Sequence, residues 1–512
     1  MQVSGNLDGL QRWRRRCRGG FVRLCLATLM ATSTVRAGAA ACTLPPPGEM
    51  IAPAIGAGGP ISGEIYSPDQ PTRSQAEARD ILAELININT THSSGDNTRA
   101  AEAMAARFRA AGFEDGDVRL LSPAPRKGNL LVRYRGIEAD CPPLLLLAHL
   151  DVVEADAALW ERDPFTFAEE DGYFYGRGVS DDKDEAAIHV ANLLRLKREG
   201  YVPRRGIVLA LTADEEGGTH NGVAWLLEEH PDLLNAAYGL NEGGGGVLVG
   251  GAYFSQEVQA AEKMYLTLEL TVSGKGGHSS MPHRSNALFT AGRVLYALDS
   301  VSFPPALNAV TRVFFEQSLS VTEGELREAI VGVLADPPDP NAVARLEEFP
   351  FYNASLRTTC APTMIAGGSA ENALPQRVTI TVNCRLVPTD SRAEVIAVIT
   401  EAIKAEVAED VVIDWRPRLD LSPSISLQPE VLATIDAVSR SIWPEVPTAP
   451  IMSPGGTDSR FLRDRGIPMY GVNGIFIDVE DDRGHARNER IRARSFYEGL
   501  EFLYRLTRAL AQ

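Results

Sequence analysis

The sequence predicts an α/β protein: a catalytic-type domain with a mostly parallel sheet and helices on both faces, made discontinuous by an inserted α/β sandwich. Three observations predict it. Residues 144–150 and 207–213 are short, nearly uninterrupted apolar runs, as expected of strands buried on both faces. Residues 185–198, between those runs, carry apolar side chains at helical spacing, so strand, helix and strand succeed one another as in a parallel crossover. From about Lys263 the pattern becomes alternating, in 265–273 and 377–386, with helical stretches between. At 512 residues the chain also exceeds what one core normally supports, which favours two domains plus extra segments.

Taken in order, the chain opens with a basic stretch, Arg12, Arg14, Arg15, Arg16 and Arg18, then an apolar segment over 21–30 and small residues around Ala37–Ala41. This is the layout of a signal peptide over 1–41, with export to a periplasmic or extracellular space as the expectation. Cys42 after three alanines loosely resembles a lipoprotein site, so a lipid anchor stays open as a minor alternative. Residues 42–72 are rich in Pro, Gly and Ala without periodicity and read as a linker. A first catalytic segment is expected over 73–262, a lid or dimerisation domain over 263–390, and a second catalytic segment over 391–512. Within the first, 75–86 and 99–111 have helical spacing, with Ser74 and Asn97 or Thr98 as capping candidates. Residues 130–134 add a further strand. In the inserted part, 287–298 and 323–334 read as helices. After Pro388 the order is helix 393–405, strand 411–415, helix 429–442 and a closing helix over 493–510.

No apolar run of about 20 residues follows the leader, so no membrane span is expected in the mature chain. The net charge is −17, and since residues 1–41 are basic the remainder is more acidic still, so nucleic acid is not an expected partner. Cys360 and Cys384 can form a disulfide in an oxidising compartment, although free buried thiols are the plainer expectation.

Chemistry concentrates where the parallel strands end. His149 and Asp151 close one apolar run, and Asp214, Glu215 and Glu216 follow another. Ligand sites of parallel sheets gather beyond the carboxyl ends of their strands. Asp181 and Asp182 follow a Gly-x-Gly loop, where adjacent carboxylates suit a cation better than each other. Glu242 leads into four glycines. With His485 these supply His149, Asp181, Glu215, Glu216, Glu242 and His485 as candidates for a two-metal site. Such a site needs one bridging carboxylate, terminal ligands, and a carboxylate left free as base. Glu215 and Glu216 permit that division. Asp151 is spaced to accept the second ring N–H of His149 or to support its neighbours. Two other readings compete. Ser180 and Lys183 formally satisfy the Ser-x-x-Lys of serine acyl-transferases but lack the Ser-Asp-Asn element. A periplasmic binding protein would be two-lobed and exported, yet needs no paired glutamates beside two loop histidines.

Six stretches in one order carry a resemblance: 147–153, 160–165 with 176–183, 212–218, 241–244, 274–286 and 484–491. The chain resembles the aminoacylase and carboxypeptidase S family of dizinc exopeptidases and amidohydrolases, with carnosinases and desuccinylases, over roughly residues 75–510. The resemblance implies His149, Asp181, Glu216, Glu242 and His485 as zinc ligands, two ions per subunit, with Asp181 bridging. Cobalt or manganese are alternatives. It implies Glu215 as general base, with Asp151 behind His149. His278 would stabilise the oxyanion, often in the partner subunit's site, a reading favoured over that of a plain surface histidine. Arg385 and Asn372 would grip the substrate carboxylate, with Gly456 and Thr457 completing the pocket, and Arg385 can equally be a structural ion pair. Homodimerisation through the inserted domain is implied too. Where the family usually has glycine after Lys183, this chain has Asp184, and Thr219 and His220 stand where smaller residues are common. The expected activity is exopeptidase cleavage, of carboxypeptidase or dipeptidase type, next to a free C-terminal carboxylate. The alternative is N-acyl amino acid hydrolysis.

Overall fold

The computed structural model describes residue 42 and residues 65–67, 70–408, 411–416 and 425–512. The expected leader 1–41 and most of the expected linker lie outside the described residues. The described residues from Ile65 onward belong to one compact unit.

Helices α1 (Arg73–Ile86) and α2 (Asn97–Ala110) come first, and their caps differ from the expected ones. Thr72, not Ser74, caps α1 in a reciprocal capping box with Gln75, and the Asp96 carboxylate caps α2. Strands β1 (Val118–Leu121), β2 (Asn129–Tyr134) and β3 (Leu144–His149) follow, then a small hairpin of β4 (Ala168–Glu170) and β5 (Tyr173–Tyr175). Next come α3 (Lys183–Arg198), β6 (Ile207–Thr212), α4 (Gly222–Glu229), β7 (Tyr238–Asn241), β8 (Gly246–Val249) and β9 (Ala252–Glu262). β3 pairs in parallel with β6 on one side and β7 on the other. Its side chains show why the run is apolar throughout: Leu144, Leu146 and Ala148 pack toward α1, α2 and α3, while Leu145 and Leu147 pack toward α4.

The inserted part begins with β10 (Met264–Ser273), β11 (Gly277–His278) and α5 (Ala287–Asp299). Four short helices follow, α6 (Ala309–Ser318), α7 (Gly324–Leu334), α8 (Pro340–Glu347) and α9 (Pro350–Leu356), with a core of their own around Phe315, Ile330 and Leu346. Then come β12 (Thr359–Gly367), β13 (Ala373–Leu374), β14 (Arg377–Leu386), α10 (Arg392–Glu406) and β15 (Val411–Arg416). Four of these strands form an antiparallel sheet in the order β12-β14-β10-β15. One face is buried, with Leu266, Leu268, Ile380 and Val382 packing beneath α5 and α10.

The boundary expected at 390 therefore moves. α10 and β15 were assigned to the second catalytic segment, but Val395, Ile399 and Ile403 of α10 enter the core of the small sheet, and β15 pairs with β10. Only after β15 does the chain rejoin the large sheet, through α11 (Pro429–Arg440), β16 (Thr448–Ser453), α12 (Ser459–Asp464), β17 (Met469–Gly471) and β18 (Phe476–Asp478); β19 (Arg490–Arg492) then joins the β4–β5 hairpin as a third strand, and α13 (Ala493–Leu510) closes the chain. The large sheet runs β1-β2-β6-β3-β7-β17-β9-β8-β18, with β16 paired in parallel to β9.

One cysteine expectation is corrected. Cys360 and Cys384 face each other in the β12–β14 register and are disulfide-bonded, so they are not free thiols. Cys141 is disulfide-bonded as well. No helix among the described residues is long and apolar enough to cross a membrane.

Candidate metal centre

Three neighbouring parallel strands, β6, β3 and β7, deliver side chains to one place. His149 is the last residue of β3, opposite Thr212 at the end of β6, and Glu242 follows the last residue of β7. The tight path after Glu242 requires glycine: a Cβ on Gly244 would stand 2.3 Å from the Gly471 carbonyl oxygen, and one on Gly471 2.3 Å from that of Glu242. Two loops reach over the same end. One, 176–182, brings Asp181 just ahead of α3. The other, between β18 and β19, brings His485.

Asp181 stands between the two histidines. Its Oδ1 is 2.9 Å from Nε2 of His149, and its Oδ2 is 2.9 Å from Nε2 of His485. Glu242 Oε2 lies 3.8 Å from His149 Nε2, and Glu216 Oε1 lies 2.7 Å from His485 Nε2. Two groups result, His149–Asp181–Glu242 and Asp181–Glu216–His485, each with potential ligand atoms within 4.8 Å of one another. They share Asp181.

The electrostatics are those of a carboxylate cage in want of cations. Burial alone would lower the His149 pKa, but Glu242 and Asp181 outweigh it and hold it well above the usual value. His485 is pushed up to about 10 by its hydrogen bonds to Asp181 and Glu216. Burial works to raise Asp181, yet the two histidines hold it far below the usual carboxylate range. Glu242 is raised by burial, and Glu215 is raised by burial and by Glu242 and Asp458. A divalent cation supplies the positive charge that protonated imidazoles otherwise provide, so the donor set fits metal.

Of the two parts expected of the Asp151 carboxylate, the contacts match the second, support of its neighbours. The backbone carbonyl of Asp151, at 3.0 Å, is what pairs with His149 Nδ1, whereas its carboxylate lies 3.7 Å away. That carboxylate accepts the backbone N–H groups of Glu215 (3.1 Å) and Glu216 (3.0 Å). Asp151 thus positions the glutamate pair as well as the histidine. Asp214, at φ +60°, holds the same turn from the other side through the buried Lys127 ammonium and the amide of His220.

The remaining candidates are not part of this convergence. His278 is exposed in β11, its Nδ1 accepting from the Ser280 hydroxyl and amide, and the exposed Asn372 lies beside it through a backbone bond to Ser279. Arg385 lies in β14 over the Tyr265 ring, its Nε donating to Asn383. Thr457 is buried, its amide donating to Glu262 at 2.6 Å. Gly456 lies against Arg460, whose guanidinium comes within 3.6 Å of Glu215. Sequence reasoning missed Arg460, and also Arg177 and Glu489, which tie the two ligand-bearing loops together. Arg177 and Glu489 lie inside the matching stretches, but nothing in the spacing reveals that they are buried together.

This geometry coincides with a match to Peptidase family M20/M25/M40 across residues 145–509. The chain belongs to that family. It is a hydrolase of the metallopeptidase and amidohydrolase kind. The M20 chain is 32% identical over 368 residues to the N-fatty-acyl-amino acid synthase/hydrolase PM20D1 of Xenopus tropicalis, covering 70% of this chain and 71% of that protein. It is 29% identical over 288 residues to carboxypeptidase S of Saccharomyces cerevisiae, covering 52% and 49%. Among solved structures it resembles an M20 family metallo-carboxypeptidase of Sulfolobus solfataricus, with TM-score 0.64, 16% identity and coverage of 85% and 99%. It also resembles human carnosine dipeptidase 1, with TM-score 0.59, 16% identity and coverage of 86% and 96%. At such identities the structural likeness speaks for the M20 fold alone, and the family resemblance drawn from the six motifs holds.

Proposed function

We propose that this chain is a dizinc exopeptidase that hydrolyses the amide next to a free C-terminal carboxylate. The observation that carries the proposal is Asp181 shared between two histidines, with Glu215 belonging to neither group, next in sequence to Glu216 and close enough to Glu242 and His149 to feel their charges. His149 and Glu242 would hold one ion, Glu216 and His485 the other, with Asp181 between them. When bound, the ions would acidify water and polarise the scissile carbonyl. Glu215 would take a proton from the attacking water on its carboxylate and deliver it to the departing amine. Asp151 keeps Glu215 in place through its amide. Arg385 and Asn372, with Gly456 and Thr457, would hold the substrate carboxylate, and a guanidinium suits that task because it binds both oxygens at once. His278 would face the oxyanion, in the partner subunit's site if the chain dimerises.

A second reading has its own support. The relative that is 32% identical carries the name of an N-fatty-acyl-amino acid synthase/hydrolase, so N-acyl amino acids belong among the candidate substrates. They too place an amide beside a carboxylate. Homodimerisation is supported by α5, which exposes Leu288, Phe289 and Tyr296 along one side, and by the exposed outer strand β12. Export is supported by the disulfides, which persist in oxidising compartments.

The test is product release, by mass spectrometry, from dipeptides, longer peptides and N-acyl amino acids, with zinc-loaded protein beside Glu215→Ala. Cleavage of one class by the wild type alone establishes the substrate type. Turnover of none contradicts the proposal.

A further inference from the structure

Glu489 is fully buried and accepts four hydrogen bonds. Oε2 takes Nη1 of Arg177 at 2.6 Å and the Gly178 amide at 3.1 Å, while Oε1 takes the Ser180 amide at 2.8 Å and the Ser180 hydroxyl at 3.0 Å. These donors make up the loop that ends at Asp181. Arg177 is buried as well, and its Nη2 donates to the backbone carbonyl of His485 at 3.3 Å. The Gly176 amide meets the Glu489 carbonyl at 3.3 Å, and β19 continues this contact by pairing with β5.

His485 has φ +60° and Asn488 φ +53°, both in the left-handed region without being glycine. Such a backbone persists only where its surroundings over-determine it. The His485 side chain is itself more than half exposed and cannot be held by packing alone. The hydrogen bond from Arg177 is therefore a main restraint on the carbonyl beside that ligand. Glu489 in turn holds Arg177.

We infer that the Arg177–Glu489 pair is a positioning device for one of the two metal positions, aligning Asp181 with His485 so that the Asp181–Glu216–His485 group closes. The inference rests on the metal reading above. Neither residue touches a ligand atom, so each acts through the backbone. The other group takes His149 and Glu242 directly from strand ends and does not depend on the pair in the same way.

The test is a zinc titration of metal-depleted protein against a chelating indicator, resolving two affinities, for the wild type, Glu489→Gln and Ser180→Ala. Glutamine keeps the shape but leaves one acceptor oxygen, so donors of the loop lose their partner. Ser180→Ala removes one hydroxyl donor and is the milder change, which decides the matter if Glu489→Gln does not fold. The expected result is one zinc bound as in the wild type and the other about 10–100-fold more weakly in Glu489→Gln, the range typical of lost outer support. Ser180→Ala should show a smaller shift in the same position. Unchanged affinities in the variants overturn the inference, and so does parallel weakening of both zincs, which would signify a general loss of structure. A wild type that binds no zinc overturns the metal reading itself, and the inference with it.

Discussion

The two histidines of the cluster live in different kinds of structure. His149 ends a central strand, is buried, and has its amide bonded to Asp182 and its Nδ1 bonded to the Asp151 carbonyl. His485 lies on a surface loop, left-handed at its own α-carbon and more than half exposed in its side chain. The first ligand comes free with the sheet: any chain that folds this core places it. The second has to be held by groups brought from elsewhere in the sequence, chiefly Arg177, Glu489 and the facing carboxylates of Asp181 and Glu216. One half of the site is a property of the fold, and the other is a property of loops fastened to each other.

The substitution expected to have the largest effect removes what the halves share. Asp181→Ala should release both zinc equivalents and abolish turnover, as read by metal analysis after dialysis and by product formation. Retention of two zincs would show that the halves are not joined through this residue. Glu215→Gln should leave the zinc content intact while lowering kcat by about 10²–10⁴-fold, the usual worth of a general base. Loss of metal in that variant would make Glu215 a ligand and redraw the division with Glu216. Asp151→Asn should cost about 10–100-fold in metal affinity or activity, since the amides of Glu215 and Glu216 lose a charged acceptor. Its effect should fall on Glu215 and the Glu216 side, because the substitution alters the carboxylate that holds those amides and leaves in place the backbone carbonyl that pairs with His149.

A smaller effect separates the sheet side from the loop side by pH. His189, on α3 below the strand-borne half, is fully buried, and burial lowers its pKa to about 3. It is neutral in the fold, whereas in the unfolded chain it takes a proton below about pH 6.5. Its contribution to stability is therefore complete above pH 6.5 and lost as pH falls toward 3, at about 1.4 kcal/mol per pH unit. Thermal unfolding of His189→Asn should show a shallower decline between pH 6.5 and 5 than the wild type. An identical slope would mean that Glu185, 3.9 Å away and one turn earlier on α3, keeps His189 charged in the fold.

What the sequence made legible follows the same divide. Apolar runs and helical spacing gave β3, β6, α3, α5 and α13 nearly to the residue, because both faces of the large sheet and one face of the small one are buried. β9 was missed: its buried positions, on both faces, include the polar Ser255, Gln256, Gln259 and Glu262, so no apolar pattern announces the strand. The short helices α6, α8 and α9 were missed because each is brief and they bury their apolar residues against one another. α10 and β15 were assigned to the wrong sheet because an amphipathic helix and a strand do not say which core they cover. In the site, residue types and order pointed to the ligands, but the partners of Asp151, Arg177 and Glu489 depend on distances across more than 60 residues of sequence in one case and 300 in the others. Local spacing carries no record of those.

The most direct test of the contrast is the zinc content of His485→Ala and His149→Ala after dialysis against metal-free buffer, beside the wild type. The account predicts two zincs per chain in the wild type and one in His485→Ala, with the strand-borne half still filled. In His149→Ala it predicts less than one, because the loop-borne half depends on an Asp181 that His149 no longer orients. Equal losses in the two variants, or two zincs retained in His485→Ala, would contradict it.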